Sequence, residues 1–214
     1  MVMARLLRLE YKGAIYHVSV RGNDRRDIFL DDKDRKYLLS RLSECIELCG
    51  VRLYLFCFMS NHFHLVLETP HANLSRFMQK VLTGFTVYFN CRHQRSGHVT
   101  QGRYKARLVK GDEYLLKLSR YVHLNPVKIR KMAGLSRSEK IKYLRNYSWS
   151  SYRSYIGEAK EYPFIEYGPM LSFIGGKKKQ RAGLYRKFVE EMVESKDEEF
   201  MEELCMSPRS IGSD

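Results

Sequence analysis

Two β-rich runs, residues 51–59 and 62–68, are separated only by Ser60-Asn61, and they constrain the fold more than any other part of the chain. A break that short leaves room for a hairpin and little else, so the runs read as two central antiparallel strands. Upstream, residues 14–21 alternate as a strand, with Tyr16, Val18 and Val20 on one face and His17, Ser19 and Arg21 on the other. Gly22-Asn23-Asp24 breaks that strand. Asp31 or Asp32 can cap a helix in which Tyr37, Leu38, Leu42, Cys45, Ile46 and Cys49 recur at helical spacing, and Gly50 ends it.

Beyond the hairpin, Asn73 caps a long helix reaching Arg92, and residues 94–102 form a basic, Gly-punctuated loop. Residues 103–109 alternate as a strand, with Arg103, Lys105 and Arg107 on one face and Tyr104, Ala106 and Leu108 on the other. Asp112, with Glu113 beside it, opens a helix that runs to Leu124 and is stopped by Pro126. The order β, α, β, β, α, β, α predicts an α+β fold on the ferredoxin-like, split βαβ plan: an antiparallel sheet with helices packed on it. Past residue 134 the periodicity weakens. Residues 135–176 are rich in Tyr and Ser and hold the single Trp, Lys177-Lys178-Lys179 reads as a linker, and a final helix is expected over residues 182–205. The expected organisation is a main domain over residues 1–160 and a C-terminal helical extension over 161–214, with a basic linker and an acidic helix.

Charge narrows the partners. Residues 1–189 carry 36 Lys and Arg against 15 Asp and Glu, a formal +21, although the whole chain is +14 because the tail is acidic. Such an excess mixed with Tyr and Phe suits a phosphate-binding surface with stacking platforms, and leaves DNA and RNA equally open. Eight acids between Glu190 and Glu203 fit a solvated helix face. The five cysteines are odd in number, form no CxxC pair and sit mostly in apolar or helical stretches, which fits reduced thiols in a cytoplasmic protein. Zinc ligation by Cys45, Cys49, Cys91 and His93 is the alternative, but the first two fall at i and i+4 of a helical pattern, so burial is the favoured reading. No run has signal-peptide character or the length to span a bilayer.

The chemistry concentrates in two segments. In Met59-Ser60-Asn61-His62-Phe63-His64-Leu65-Val66-Leu67, a strand projects His62 and His64 from one face, where their imidazoles can share a cation, while Phe63, Leu65 and Leu67 face the core. Two packed core histidines are the competing reading. In Arg120-Tyr121-Val122-His123-Leu124-Asn125-Pro126-Val127, Tyr121 and Asn125 stand one helical turn apart on the same side, where a phenol and an amide oxygen can address one point. With 15 tyrosines in the chain, a buried tyrosine with its hydroxyl satisfied explains that element equally well.

Taken with Tyr16-His17-Val18, Arg21-Gly22-Asn23, Gly102-Arg103-Tyr104-Lys105-Ala106 and Trp149-Ser150-Ser151-Tyr152, these segments resemble the IS200-type transposases and the related tyrosine transposases associated with repetitive extragenic palindromes (REP), members of the HUH single-strand nucleases. The resemblance covers residues 10–155. It implies the HUH nuclease fold, cleavage of single-stranded, hairpin or palindromic DNA through a 5′-phosphotyrosine, and strand transfer. It implies Mg²⁺ or Mn²⁺ on His62 and His64, and Tyr121 as nucleophile. Insertion-sequence members place a glutamine four residues after the tyrosine as third ligand; this chain has Asn125 there, as the palindrome-associated branch commonly does. Arg21, Arg103, Lys105, Arg107 and Arg120 are the candidate DNA contacts. A relative that binds structured DNA or RNA without cutting, and a metal-dependent hydrolase that uses water with Tyr121 merely structural, remain as alternatives; a monomer and a homodimer are equally compatible.

Overall fold

The computed structural model describes residues 9–109 and 111–195, together with Glu198, Phe200, Glu202 and Leu204. The described residues fall into two compact units, one from residues 9–53 and 60–109, the other from residues 54–59 and those described from 111 onwards. A four-stranded sheet has the order β2-β3-β1-β4, with β1 Ala14–Arg21, β2 Arg52–Phe58, β3 His62–Thr69 and β4 Lys105–Val109. That is the ferredoxin-like order expected from the element sequence, and β1 pairs antiparallel with both β3 and β4. One expectation is corrected: β3 and β1 are central, whereas β2 is an edge strand. The helix between β1 and β2 carries the chain past one strand position, and β3 turns back into it.

In the first unit, α1 Asp32–Cys49 begins where its caps require. The Asp31 carboxylate accepts from the Lys33 and Asp34 backbone N–H groups in a reciprocal capping box, and Gly50 closes the helix at φ 61°, a left-handed conformation that suits glycine. α2 Leu74–Arg92 turns Phe77, Met78, Val81, Phe85 and Phe89 inward. Phe85 lies 5.5 Å from Phe29, which lies 6.4 Å from Phe63 of β3, so α2 packs towards the sheet face that carries Tyr16, Val18, Val20, Leu65 and Leu67, all buried. The residue before α2, Asn73, does not cap it with its side chain; its amide donates to Cys49 O at 2.7 Å and ties the two helices' connections together. Asp34, fully buried, accepts from Leu30 N at 2.8 Å, Arg92 Nη1 at 2.5 Å and His93 Nε2 at 2.9 Å, and so fastens the start of α1 to the end of α2.

The second unit is helical: α3 Asp112–Leu124, α4 Arg137–Asn146, α5 Tyr152–Tyr155, α6 Tyr167–Phe173 and α7 Arg181–Glu190. Its core is built from tyrosines whose phenols are satisfied: Tyr155 donates to Tyr54 O at 2.7 Å, Tyr167 to Ser154 Oγ at 3.0 Å, and Tyr152 to Glu190 Oε1 at 3.1 Å. Glu190 is itself held by Arg145 through two bonds of 2.7 Å. Here the expected helix over 182–205 is corrected. α7 stops at Glu190, the chain turns through Glu191 and Met192, and the Lys128 ammonium donates to the carbonyls of Met192, Val193 and Ser195 at 2.8, 3.0 and 2.5 Å. Buried Glu190 is a core anchor rather than the start of a solvated acidic face; Cys205, and Asp197, Glu199 and Glu203 of that face, lie outside the described residues. The backbone of Phe58 and Phe56 on β2 bonds with Trp149 and Ser151, covering that edge strand with the segment before α5.

Candidate functional site

Three alternating patterns that the sequence presents separately become one surface through strand register. Opposite Arg21 stands His62, opposite Ser19 stand His64 and Lys105, and opposite His17 stands Arg107. Directly opposed residues point to the same side of a sheet, so His17, Ser19, Arg21, His62, His64, Lys105 and Arg107 share the face away from the apolar one. Arg103 does not join the strand, because β4 begins at Lys105; Arg103 is exposed in the preceding bend. That shortens the basic strand face expected over 103–109 to Lys105 and Arg107.

The two histidines are set differently. His62 is half-buried, and its Nδ1 lies 2.7 Å from Asn61 Oδ1. The Asn61 amide nitrogen donates to Arg25 O at 3.1 Å, which fixes the amide oxygen towards the imidazole. His62 therefore carries its proton on Nδ1 and keeps the lone pair on Nε2. Asn61 is thus a site residue whose role the sequence did not reveal, although it stands inside the motif. His64 is buried, and its Nδ1 lies 2.9 Å from His17 Nε2. The His62 and His64 ring centroids are 5.1 Å apart and the rings nearly perpendicular, at 89°. Burial first, and then the neighbouring histidines and Arg21, which would repel a charge on it, push His64 well below the ordinary histidine range; burial, with Arg107, lowers His17 to about 3. Both are neutral at physiological pH, as a metal-binding imidazole must be.

The loop that follows β1 is held by close backbone approach. A Cβ at Gly22 would lie 2.0 Å from Arg26 O, so only glycine fits between Arg21 and the turn, whose backbone also bonds to Asn61 and Ile28 to Ser60. The Arg21-Gly22-Asn23 motif in this way docks against the β2–β3 turn that launches His62.

In the second unit, Lys117, Arg120, Tyr121 and Leu124 of α3 and Asn125 at its end line, with Lys128, Met192, Ser195, Glu198, Phe200 and Glu202, a pocket of 640 Å³. The Phe200 ring packs against both Tyr121 (5.8 Å) and Tyr114 (5.2 Å). The Asn125 amide nitrogen donates to Tyr121 O at 3.0 Å, so the helix end is capped through nitrogen while the amide oxygen is the atom suited to a cation. Arg120 lays its guanidinium over the Phe188 ring, 4.5 Å from its centroid. On the other side of α3, His123 is buried between Tyr185 Oη (2.7 Å) and Ser151 Oγ (2.9 Å), and burial lowers it to about 3. The Tyr121 group and the His62–His64 group belong to different units, each described in its own.

Among the described residues no three His, Cys, Asp or Glu side chains converge to hold a metal ion. Cys45 and Cys49 are buried, Cys91 is exposed and His93 is committed to Asp34, so the zinc alternative gains no support. Two neighbouring imidazoles, that of His62 turned with Nδ1 to the Asn61 amide oxygen, are nevertheless a donor set that fits a divalent cation completed by oxygens. No helix among the described residues is long and apolar enough to cross a membrane.

A family model described as "Transposase IS200 like" matches residues 10–125. Among solved structures, the chain is similar to a REP-associated tyrosine transposase bound to a REP hairpin, at 16% identity over 77% of this chain and 98% of that one, with a TM-score of 0.59. It is also similar to a chain described as a transposase from Deinococcus radiodurans R1, at 17% identity over 57% of this chain and 95% of that one, with a TM-score of 0.39, too low to weigh. No curated protein matches.

Proposed function

The chain belongs to the IS200-like transposase family, and from that premise we propose that it cuts and rejoins single-stranded DNA, hairpin or palindromic, through a covalent tyrosine intermediate. The observation that carries the proposal is the single sheet face on which register gathers His62, His64, Arg21, Lys105 and Arg107. The hairpin bound by the REP-associated relative supports DNA of that form as substrate.

The proposed roles follow from the donor chemistry. His62 and His64 would hold Mg²⁺ or Mn²⁺ through nitrogen, and Asn125 is proposed as a neutral oxygen donor of the kind a hard cation prefers. Such an ion, when bound, would supply Lewis-acid polarisation of the scissile phosphate and offset charge on the departing 3′ oxygen. Tyr121 attacks phosphorus, the bond from phosphorus to the 3′ oxygen breaks, and the products are a 5′-phosphotyrosine and a 3′ hydroxyl. One phosphodiester has replaced another, so an incoming 3′ hydroxyl can reverse the step without ATP. Arg21, Arg103, Lys105, Arg107 and Arg120 are proposed as contacts to the DNA backbone, within a transposase domain over residues 1–160 followed by the extension 161–214.

The test is a denaturing gel after incubation with a labelled hairpin oligonucleotide and Mn²⁺. A covalent protein–DNA adduct is expected from the native protein and none from Tyr121→Phe. Cleavage without an adduct would point to a water nucleophile, and binding without cleavage to a relative that only binds.

A further inference from the structure

The proposed ligands use His62 and His64 but leave a third histidine on the same sheet face without a role. His17 lies in the Tyr16-His17-Val18 motif on β1, two residues from Ser19, which stands opposite His64. This diagonal brings His17 Nε2 within 2.9 Å of His64 Nδ1, with the rings 22° from parallel and their centroids 5.1 Å apart. Both residues are more than nine-tenths buried. Between two neutral imidazoles one nitrogen must donate and the other accept. The two arrangements have opposite consequences: a proton on His64 Nδ1 puts the lone pair on Nε2, whereas a proton on His17 Nε2 makes His64 Nδ1 the acceptor and leaves no lone pair at its Nε2.

We propose that His17 is a positioning residue for the cation site, accepting the Nδ1–H of His64 and thereby fixing both the ring's orientation and the tautomer whose Nε2 can bind a divalent ion. Asn61 Oδ1 does the same for His62, so each ligand is backed by its own acceptor, an amide for one and an imidazole for the other. Metal-binding histidines are generally oriented by such a partner on the second nitrogen, and its loss weakens binding. The proposal rests on His62 and His64 being the ligands, as set out under Proposed function. It does not require His17 to touch the ion.

Calorimetric titration of the full-length, DNA-free protein with Mn²⁺ separates the two ideas. His64→Ala should lose binding, His17→Ala should weaken it about 10- to 100-fold, and His17→Gln, whose amide oxygen can accept the same proton, should recover most of it. Nitrogen-15 shifts of the His64 imidazole in the metal-free native protein should place its proton on Nδ1. If His64→Ala loses Mn²⁺ while His17→Ala binds as the native protein does, His17 has no positioning role and the ligand assignment stands. If His64→Ala binds normally, the ligand assignment falls and the role of His17 with it. Should His17→Ala fail to fold, the tautomer decides alone: a proton on His64 Nε2 overturns the proposal.

Discussion

Tyr121 and Tyr114 both touch Phe200, so contact with that ring does not choose between them as nucleophile. Their separation does: seven residues put them about 10 Å apart along a helix axis, and only Tyr121 is within a turn of Asn125. Tyr114→Phe should therefore keep adduct formation while Tyr121→Phe loses it. If Asn125 is a ligand, Asn125→Ala should raise the Mn²⁺ concentration needed for cleavage and Asn125→Asp should keep it low; as a cap alone, its loss would show in thermal stability, with metal dependence unchanged. His123 makes a prediction about pH. Its folded value of about 3 lies below the ordinary 6.5, so between those limits the unfolded chain takes up a proton that the folded chain refuses. Its contribution is complete above pH 6.5 and drains as pH falls towards 3, by up to about 1.4 kcal/mol per unit. Urea titrations from pH 7.5 to 4 should give a shallower loss for His123→Gln than for the native protein, whatever the variant's stability at pH 7.5; equal slopes would show that His123 does not contribute. None of this was legible at residue level in His17 or Asn61, because their partners are set by strand register and by a turn, which spacing along the chain does not encode.

Elements were legible where the sequence punctuates them. Asp31 and Gly50 bound α1, and Asp112 with Pro126 bounds α3, because caps and a missing N–H act locally. β1 was legible from alternation alone. Residues 135–176 were not, since tyrosines that bury a ring and satisfy a hydroxyl blur the contrast between apolar and polar positions that periodicity needs. Nor could alternation show that β4 starts at Lys105 or that α7 ends at Glu190. The joint between α1 and α2 carries its own prediction. Asp34 is fully buried with Arg92, His93 and a backbone N–H as partners, so Asp34→Ala takes the carboxylate from His93 and from the Leu30 N–H, leaves Arg92 only its bonds to Asp31, and should destabilise the unit. Asp34→Asn, which keeps an acceptor, should cost less. Chemical denaturation checks the order, and an Asp34→Ala midpoint equal to the native one would remove the joint from the list of what stabilises this unit.

At the scale of the molecule, charge governs encounter with a polyanion. Replacing Arg103, Lys105 and Arg107 together by Ala should weaken single-stranded DNA for every sequence alike. It should also flatten the dependence of log affinity on log salt, by about 0.7 per lost phosphate contact; an unchanged slope would make these residues merely solvated. The α+β class and the family resemblance were legible from ordered motifs, whereas the division of β2 between two compact units was not, because it depends on contacts made from Trp149 to Tyr155. Those contacts have a consequence for association. An edge strand is a template that another chain can extend, and β2, apolar along nearly its whole length, would be an adhesive one. Because Phe56 and Phe58 already exchange backbone bonds with Ser151 and Trp149, the template is spent within the chain. The opposite edge, β4, is five residues long and bears Lys105 and Arg107, and both a short edge and its charges disfavour the addition of a further strand from another molecule.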